Sequence, residues 1–184
     1  MAVSDDLYNK ASEGLRLTAE EALKLYEEAP VGALMFLADE ARRRMVDGNY
    51  VGWMIDRNVN ITNICFSQCR FCNFCRTEKS DDAYVTTEAE YDEKIRELTE
   101  LGGDQLLLQG GMNPALGLSY YVRLFSGLKK RWPSVKLHAL GPPEVAYLAR
   151  KEKMSFRDIL VTLHEAGLDS LPGAGAEILS DRVR

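Results

Sequence analysis

The chain has 184 residues, a formal net charge of −5 and 46% hydrophobic residues. This composition is typical of a soluble globular protein with enough apolar side chains for a sizeable core. The modest acidity gives no basic footprint for nucleic acid, and no apolar run approaches membrane-spanning length. We therefore expect a protein that binds neither nucleic acid nor membrane.

Apolar periodicity and capping signals predict helices that alternate with short strands. Thr18–Glu21 and Thr87–Glu90 both read T-x-x-E, a capping box that opens a helix. Residues 1–17 are polar and carry no clear pattern. The predicted helices are 18–29, 31–46, 87–101, 118–132, 142–151 and 155–165. The predicted strands are 59–64, 104–111, 135–140 and 168–173.

The order of these elements predicts an α/β fold. Strands joined by helices imply parallel pairing and right-handed crossovers. Four parallel strands with outer helices suit the first half of a (β/α) TIM-type barrel, because a complete barrel needs about 250 residues. We predict a helical extension over residues 1–49 and a partial barrel domain over 50–184. Residues 56–58 are expected just before the first strand, at the end of a barrel that serves stability.

All four cysteines lie within eleven residues, with the spacing C-x3-C-x2-C-x2-C from Cys65 to Cys75. Thiolates are soft ligands that suit iron–sulfur clusters or zinc. The close spacing and the lack of a signal peptide argue against disulfides and for a reducing cytoplasm.

Two other interpretations of these cysteines remain open. A structural zinc site usually pairs two separated ligand knuckles, and the sequence has only one. A four-cysteine electron-transfer cluster is the stronger rival, because Cys69, Cys72 and Cys75 form part of a bacterial ferredoxin pattern. That pattern continues with a further cysteine and a proline, whereas this chain continues with Arg76 and Thr77.

The first three cysteines, with Phe71 just before the third, resemble the motif of the radical S-adenosylmethionine (SAM) superfamily. Longer stretches resemble the branch that contains the futalosine-pathway enzymes of menaquinone biosynthesis and the deazaflavin synthase subunits. Proteins of this branch continue for a similar length beyond the matching region, so we expect an N-terminal fragment. The stretches are DRNVNITNICFSQCRFCNF (56–74), DAYVTT (82–87), LGGDQLLLQGGMNP (101–114), LHALGPPEV (137–145) and AGLDSLPGAGAEILSDRVR (166–184).

The resemblance implies two cofactors, a [4Fe-4S] cluster and SAM. Cys65, Cys69 and Cys72 would hold three irons, SAM would chelate the fourth, and Cys75 would remain a free thiol. The implied reaction is the cyclisation of dehypoxanthine futalosine through a 5′-deoxyadenosyl radical, with flavodoxin or ferredoxin as electron donor. Aminofutalosine synthase and deazaflavin synthase activities are the alternatives. No residue is assigned as the catalytic base.

The resemblance also implies contacts to SAM. Phe71 would meet the adenine, and Gly110 and Gly111 would let the backbone approach the amino group, since glycine has no Cβ in the way. Glu177 would bind the ribose hydroxyls. Met112 stands where many relatives have glutamate, which removes one possible carboxylate contact.

Three further residues lie where barrel sites usually form. Gln109 and His138 are candidates for the barrel lumen, although a core histidine is an equal alternative for His138. Glu144 is expected to cap the helix that Pro142 begins, where a carboxylate complements the helix dipole. An open half-barrel would also leave an unpaired edge beside an apolar lumen. We therefore expect the chain alone to self-associate and to be inactive.

Overall fold

The structure is a computed structural model that describes residues 3–46, 48–173 and 178–183. The chain divides into two compact units, Met1–Trp53 and Met54–Arg184. Within the described ranges no helix combines the length and the apolar character needed to cross a membrane. The predicted domain boundary after residue 49 stays a prediction.

The first unit contains three helices, α1 (Asp5–Ser12), α2 (Ala19–Glu28) and α3 (Val31–Met45). The capping box at the start of α2 is confirmed. The sequence did not predict α1, because its apolar side is short: Leu7 is its only buried residue, and Tyr8 and Ala11 pack beside it only partly buried. Asp5 and Asp6 in its first turn and Lys10 in its last turn complement the dipole of this helix.

The second unit is a parallel sheet covered by helices, which confirms the partial barrel. Its strands β1 (Asp56–Asn60), β2 (Gln105–Gln109) and β3 (Lys136–Ala139) are hydrogen-bonded in the order β1-β2-β3. Each connection contains a helix, as parallel pairing requires. The helices are α4 (Glu88–Glu100), α5 (Leu118–Arg131), α6 (Pro142–Glu152) and α7 (Phe156–Glu165).

The two faces of the sheet differ sharply. Val59, Leu106, Leu108, Leu137 and Ala139 are buried in one cluster with the apolar faces of the four helices. The opposite, inner face carries Asn58, Leu107 and His138 in one row and Asn60 and Gln109 in the next. The expectation of an apolar lumen is therefore wrong for this half. Amides and one histidine surround a single leucine.

The first strand begins earlier than predicted, so residues 56–58 lie within it and not before it. Residues 61–64 lie outside the regular strand, although the N–H of Ile61 still donates to the carbonyl of Gln109 (2.7 Å) and the carbonyl of Thr62 accepts the N–H of Gly111 (2.8 Å). Other backbone groups of this stretch bond elsewhere. The N–H of Thr86 donates to the carbonyl of Ile61 (2.9 Å), and the N–H of Arg76 donates to the carbonyl of Asn63 (2.8 Å).

The predicted fourth strand is reduced to one parallel bridge, between His138 and Ser170, within the described part of the chain. The carboxylate of Asp169 accepts the backbone N–H of Leu137 at 2.7 Å. This side-chain acceptor takes the place of a backbone carbonyl. Pro172 has no N–H to extend the ladder further.

Candidate functional site

The segment Cys65–Cys75, here called the cysteine loop, follows β1 and is fixed at its base. The N–H of Cys65 donates to the carbonyl of Arg76 (3.0 Å), which closes the two ends on each other. The N–H of Phe66 donates to the carbonyl of Met112 (3.2 Å). The ring centroids of Phe66 and Tyr147 lie 5.0 Å apart. The loop therefore starts against the segment that follows β2.

The tip of the loop is more exposed than its base. All four cysteines are free; Cys65 and Cys75 are partly buried, whereas Cys69 and Cys72 are exposed. The N–H of Cys72 donates to the carbonyl of Cys69 (3.0 Å), which forms a turn between them. No group of three or more His, Cys, Asp or Glu side chains is gathered to hold a metal ion in residues 3–46, 48–173 and 178–183. The convergence of the three sulfurs therefore stays a prediction.

Cys75 is engaged differently from the other cysteines. Its Sγ donates to the carbonyl of Cys65 at 3.2 Å. Burial, and then the neighbouring Cys65 thiol, raise the pKa of Cys75 above its ordinary value. A thiol with a raised pKa is a poorer metal ligand, because metals bind the thiolate. The assignment of Cys65, Cys69 and Cys72 as the cluster ligands stays a prediction.

A cleft of about 470 Å³ lies where the cysteine loop meets the end of β2. Cys65, Cys72, Gly110 and Gly111 line it, so it brings together residues predicted for the cluster and for SAM. Gln109 also lines it, as the lumen prediction requires.

Cys69 and Phe71 do not line this cleft. Cys69 lines a neighbouring cleft of about 320 Å³ together with Cys72 and Cys75. Phe71 is 100% exposed, so its contact with adenine stays a prediction. Glu177 lies outside the described residues.

The glycine pair has a structural role that the sequence did not reveal. A Cβ on Gly111 would collide with the carbonyl group of Ile64 and lie 2.8 Å from the Cβ of Cys65. A Cβ on Gly110 would lie 3.0 Å from the carbonyl oxygen of Thr62. The missing side chains therefore let the end of β2 pack directly against the residues that lead into the cysteine loop.

Glu144 is a helix cap that also faces the cleft. The N–H of Gly141 donates to its carboxylate at 3.0 Å, as the capping prediction requires. Burial raises the pKa of this half-buried carboxyl above its ordinary value. Glu144 and Gly141 both line the cleft, so the cap brings an ionisable group to it.

His138 lies on the inner face of the sheet, at the register position of Leu107. Its Nδ1 is 2.6 Å from the hydroxyl of Ser170. Its side chain is thus neither fully buried nor part of the core, which favours the lumen alternative. A direct contact with substrate stays a prediction.

Sequence reasoning missed three amides that line the cleft, those of Asn58, Asn60 and Asn63. Asn58 and Asn60 alternate with the buried Val59, which is the pattern of a strand with one polar face. Starting the strand at Asp56 would have placed both on the inner face.

Residues 59–184 match the family model described as the Radical SAM superfamily. The chain belongs to the radical SAM superfamily. It is 41% identical over 183 residues to the cyclic dehypoxanthine futalosine synthase of Streptomyces coelicolor, covering 97% of this chain and 45% of that protein. It is 36% identical over 186 residues to the 5-amino-6-(D-ribitylamino)uracil–L-tyrosine 4-hydroxyphenyl transferase of Microcystis aeruginosa, covering 97% and 49%. The chain spans about half the length of the curated relatives it matches.

The fold is also similar to that of a solved structure, the FeFe-hydrogenase maturase HydG from Carboxydothermus hydrogenoformans. The TM-score is 0.56 at 18% sequence identity, covering 91% of this chain and 47% of that chain. At this identity the likeness concerns the fold alone. It supports the partial barrel.

The residues of the cleft fit the cofactors that the superfamily implies. Free thiols in a C-x3-C-x2-C spacing are the soft donors that an iron–sulfur cluster takes. Gly110 and Gly111 form the adjacent wall of the cleft. Two of the three predicted cluster ligands, Cys65 and Cys72, thus lie on one cleft with the glycine pair.

Proposed function

We propose that this chain carries the cluster-binding and SAM-binding part of an enzyme that cyclises dehypoxanthine futalosine in menaquinone biosynthesis. The observation that carries the proposal is the cleft, where the cysteine loop and the glycine pair meet at the carboxyl ends of parallel strands. Barrel enzymes place their sites at this end. The similarity to a cyclic dehypoxanthine futalosine synthase supports the choice of substrate.

Each residue has a defined task in this proposal. Cys65, Cys69 and Cys72 hold the cluster, and the backbone of Gly110 and Gly111 faces the amino group of SAM. Phe71 and Glu177 would add the contacts to adenine and ribose. When bound, these cofactors supply a 5′-deoxyadenosyl radical that removes a hydrogen atom from the substrate ribose.

The inner face of the sheet suits a neutral polar ligand. Asn60 and Gln109 are register partners on β1 and β2, and Asn58 lies one row below them. Amides donate and accept hydrogen bonds without carrying charge, so they match ribose hydroxyls better than they match a carboxylate. We assign the ribose of the substrate to this face. An electron donor such as flavodoxin or ferredoxin would deliver the electron near the exposed tip of the cysteine loop.

A second candidate is a sister reaction on an aminouracil and tyrosine. The similarity to the tyrosine 4-hydroxyphenyl transferase of Microcystis aeruginosa extends over 97% of the chain, as far as the similarity to the cyclase does. Both reactions need the same cluster and SAM. The cysteine loop and the glycine pair therefore support both candidates equally.

The experiment is a parallel turnover assay on anaerobically reconstituted protein with SAM and a chemical reductant. One reaction contains dehypoxanthine futalosine, and the other contains 5-amino-6-(D-ribitylamino)uracil and tyrosine. Mass spectrometry follows 5′-deoxyadenosine and the products. We expect dehypoxanthine futalosine to raise the amount of 5′-deoxyadenosine in the first reaction, without a cyclised product because the chain alone is expected to be inactive as a cyclase. Aminouracil and tyrosine should cause no such rise in the second reaction, and Cys69→Ala should form no 5′-deoxyadenosine in either.

Turnover in the second reaction alone would replace the cyclase proposal with the sister activity. The reduced protein could instead bind an iron–sulfur cluster whose EPR spectrum does not change when SAM is added. That result would support the four-cysteine electron-transfer alternative.

A further inference from the structure

The hydroxyl of Thr62 joins three segments around the cleft. Thr62 is 0% exposed, and its Oγ1 donates to the carbonyl of Tyr84 at 2.6 Å. The same oxygen accepts the N–H of Ile64 at 3.1 Å and the side-chain amide of Asn113 at 3.4 Å. Ile64 directly precedes the cysteine loop, Tyr84 lies in the segment after the loop, and Asn113 lies in the segment after β2.

This arrangement uses the full bonding capacity of the hydroxyl. A threonine oxygen has one hydrogen to donate and two lone pairs to accept with. The backbone of Thr62 adds a fourth link, because its carbonyl accepts the N–H of Gly111 at 2.8 Å. One residue thus ties the entry of the cysteine loop to the glycine pair across the cleft.

Neighbouring buried amides extend the network. Asn63 donates from Nδ2 to the carbonyl of Asp82 (2.7 Å) and accepts the N–H of Tyr84 (2.9 Å). Asn113 is 2% exposed, and its side-chain oxygen accepts the N–H of Ala115 at 2.9 Å. Buried polar groups are costly unless they are bonded, and satisfied networks of this kind hold one arrangement.

We infer that Thr62 is a positioning residue that keeps the cysteine loop in register with Gly110 and Gly111. This inference rests on the proposed function in one respect, that these two sides of the cleft bind the cluster and SAM. The cysteines can still gather around a cluster without Thr62, because ligation itself draws them together. The alignment of the cluster with the SAM side of the cleft depends on the hydroxyl.

The test compares Thr62→Val with Thr62→Ser in the reconstituted protein. Valine matches threonine in shape but removes the hydrogen bonds of the side chain, whereas serine keeps the hydroxyl. We expect normal iron content in both variants. The Kd for SAM, measured by calorimetry, should rise about tenfold or more in Thr62→Val, since loss of an orienting partner typically costs 10–100-fold. The SAM-dependent change in the EPR spectrum should weaken in parallel and return in Thr62→Ser.

A second measurement does not depend on the cofactors. Hydrogen exchange should accelerate at the backbone amides of Ile64 and Gly111 in Thr62→Val but not in Thr62→Ser, with the β2 amides Leu106–Leu108 unchanged in both. If the wild-type protein binds no cluster, the proposed function fails, and this exchange pattern alone decides the positioning role.

The inference is overturned if Thr62→Val exchanges and binds SAM like the wild type, or if Thr62→Ser is as impaired as Thr62→Val. Should Thr62→Val fail to fold, Asn113→Asp takes its place. It keeps the acceptor for Ala115 and removes the amide donor to Thr62. A normal Kd for SAM and a normal SAM-dependent change in the EPR spectrum in that variant would overturn the inference.

Discussion

Gly111 offers a direct test of how β2 meets the cysteine loop. In Gly111→Ala the new methyl group would overlap the carbonyl group of Ile64, with the carbonyl carbon at 2.7 Å and the Cβ of Cys65 at 2.8 Å. These neighbours are the backbone of Ile64 and the first atom of a predicted ligand side chain. Neither can rotate away, so the loop entry itself has to move.

The size of the effect follows from this overlap. Inserting a methyl group into a packed site costs typically 1–3 kcal/mol, and we expect Gly111→Ala to lower the free energy of unfolding by about that amount. Gly127→Ala is the matched control, because Gly127 lies inside α5 and its Cβ would meet only the end of Arg131 at 3.5 Å. Replacing a helical glycine by alanine stabilises by roughly 0.5–1 kcal/mol. The two substitutions should therefore act with opposite sign.

The assay is urea unfolding of both variants, followed by iron content after reconstitution. Displacement of Cys65 should reduce iron content in Gly111→Ala, while Gly127→Ala should bind iron like the wild type. If Gly111→Ala matched the wild type in both measurements, the packing argument would be refuted, and the glycine would be left with a role toward SAM alone.

Three further predictions use single substitutions. Cys69→Ala should abolish iron binding and Cys75→Ala should preserve it, as measured by iron and sulfide content; the reverse pattern would refute the ligand assignment. Burial raises the pKa of Glu144 above its ordinary value of 4.5, so its stabilising contribution is present at low pH and lost as the pH rises through the folded pKa. Glu144→Gln keeps an oxygen for the N–H of Gly141 but cannot ionise, so its free energy of unfolding relative to wild type should increase as the pH rises above the ordinary carboxyl pKa of 4.5; a pH-independent difference would contradict this. The hydroxyl of Tyr91 is buried and makes no hydrogen bond of normal geometry among the described residues, with the hydroxyl of Tyr120 as a polar neighbour, so Tyr91→Phe should not lower the melting temperature; a clear decrease would show that the contact with Tyr120 is a stabilising hydrogen bond.

Local signals in the sequence account for most of the fold. The capping box at Thr87 and the prolines at 142 and 143 each begin a helix where predicted. The β-branched stretch over residues 59–64 predicts a strand just before the cysteine loop, and β1 does precede the loop. These features act over a few residues, so one sequence suffices to find them.

The contents of the cleft were harder to predict because they depend on strand register. Beginning β1 at residue 59 left Asn58 outside the strand and hid its place on the inner face. The role of Thr62 depends on Tyr84 and Asn113, which lie 22 and 51 residues away in sequence. No local pattern brings such partners together.

The base and the tip of the cysteine loop should respond differently to substitution. At the base, Cys65 and Arg76 are bonded to each other and Phe66 is bonded to Met112, so the fold itself fixes this part. At the tip, Phe71 and both nearby cysteines are exposed and have few partners that could hold one conformation. The free energy that orders the tip therefore has to come mainly from ligation. It follows that substitutions at the tip act on iron affinity, whereas loss of a hydrogen bond at the base that leaves Cys65 in place acts on the alignment of the cluster with SAM.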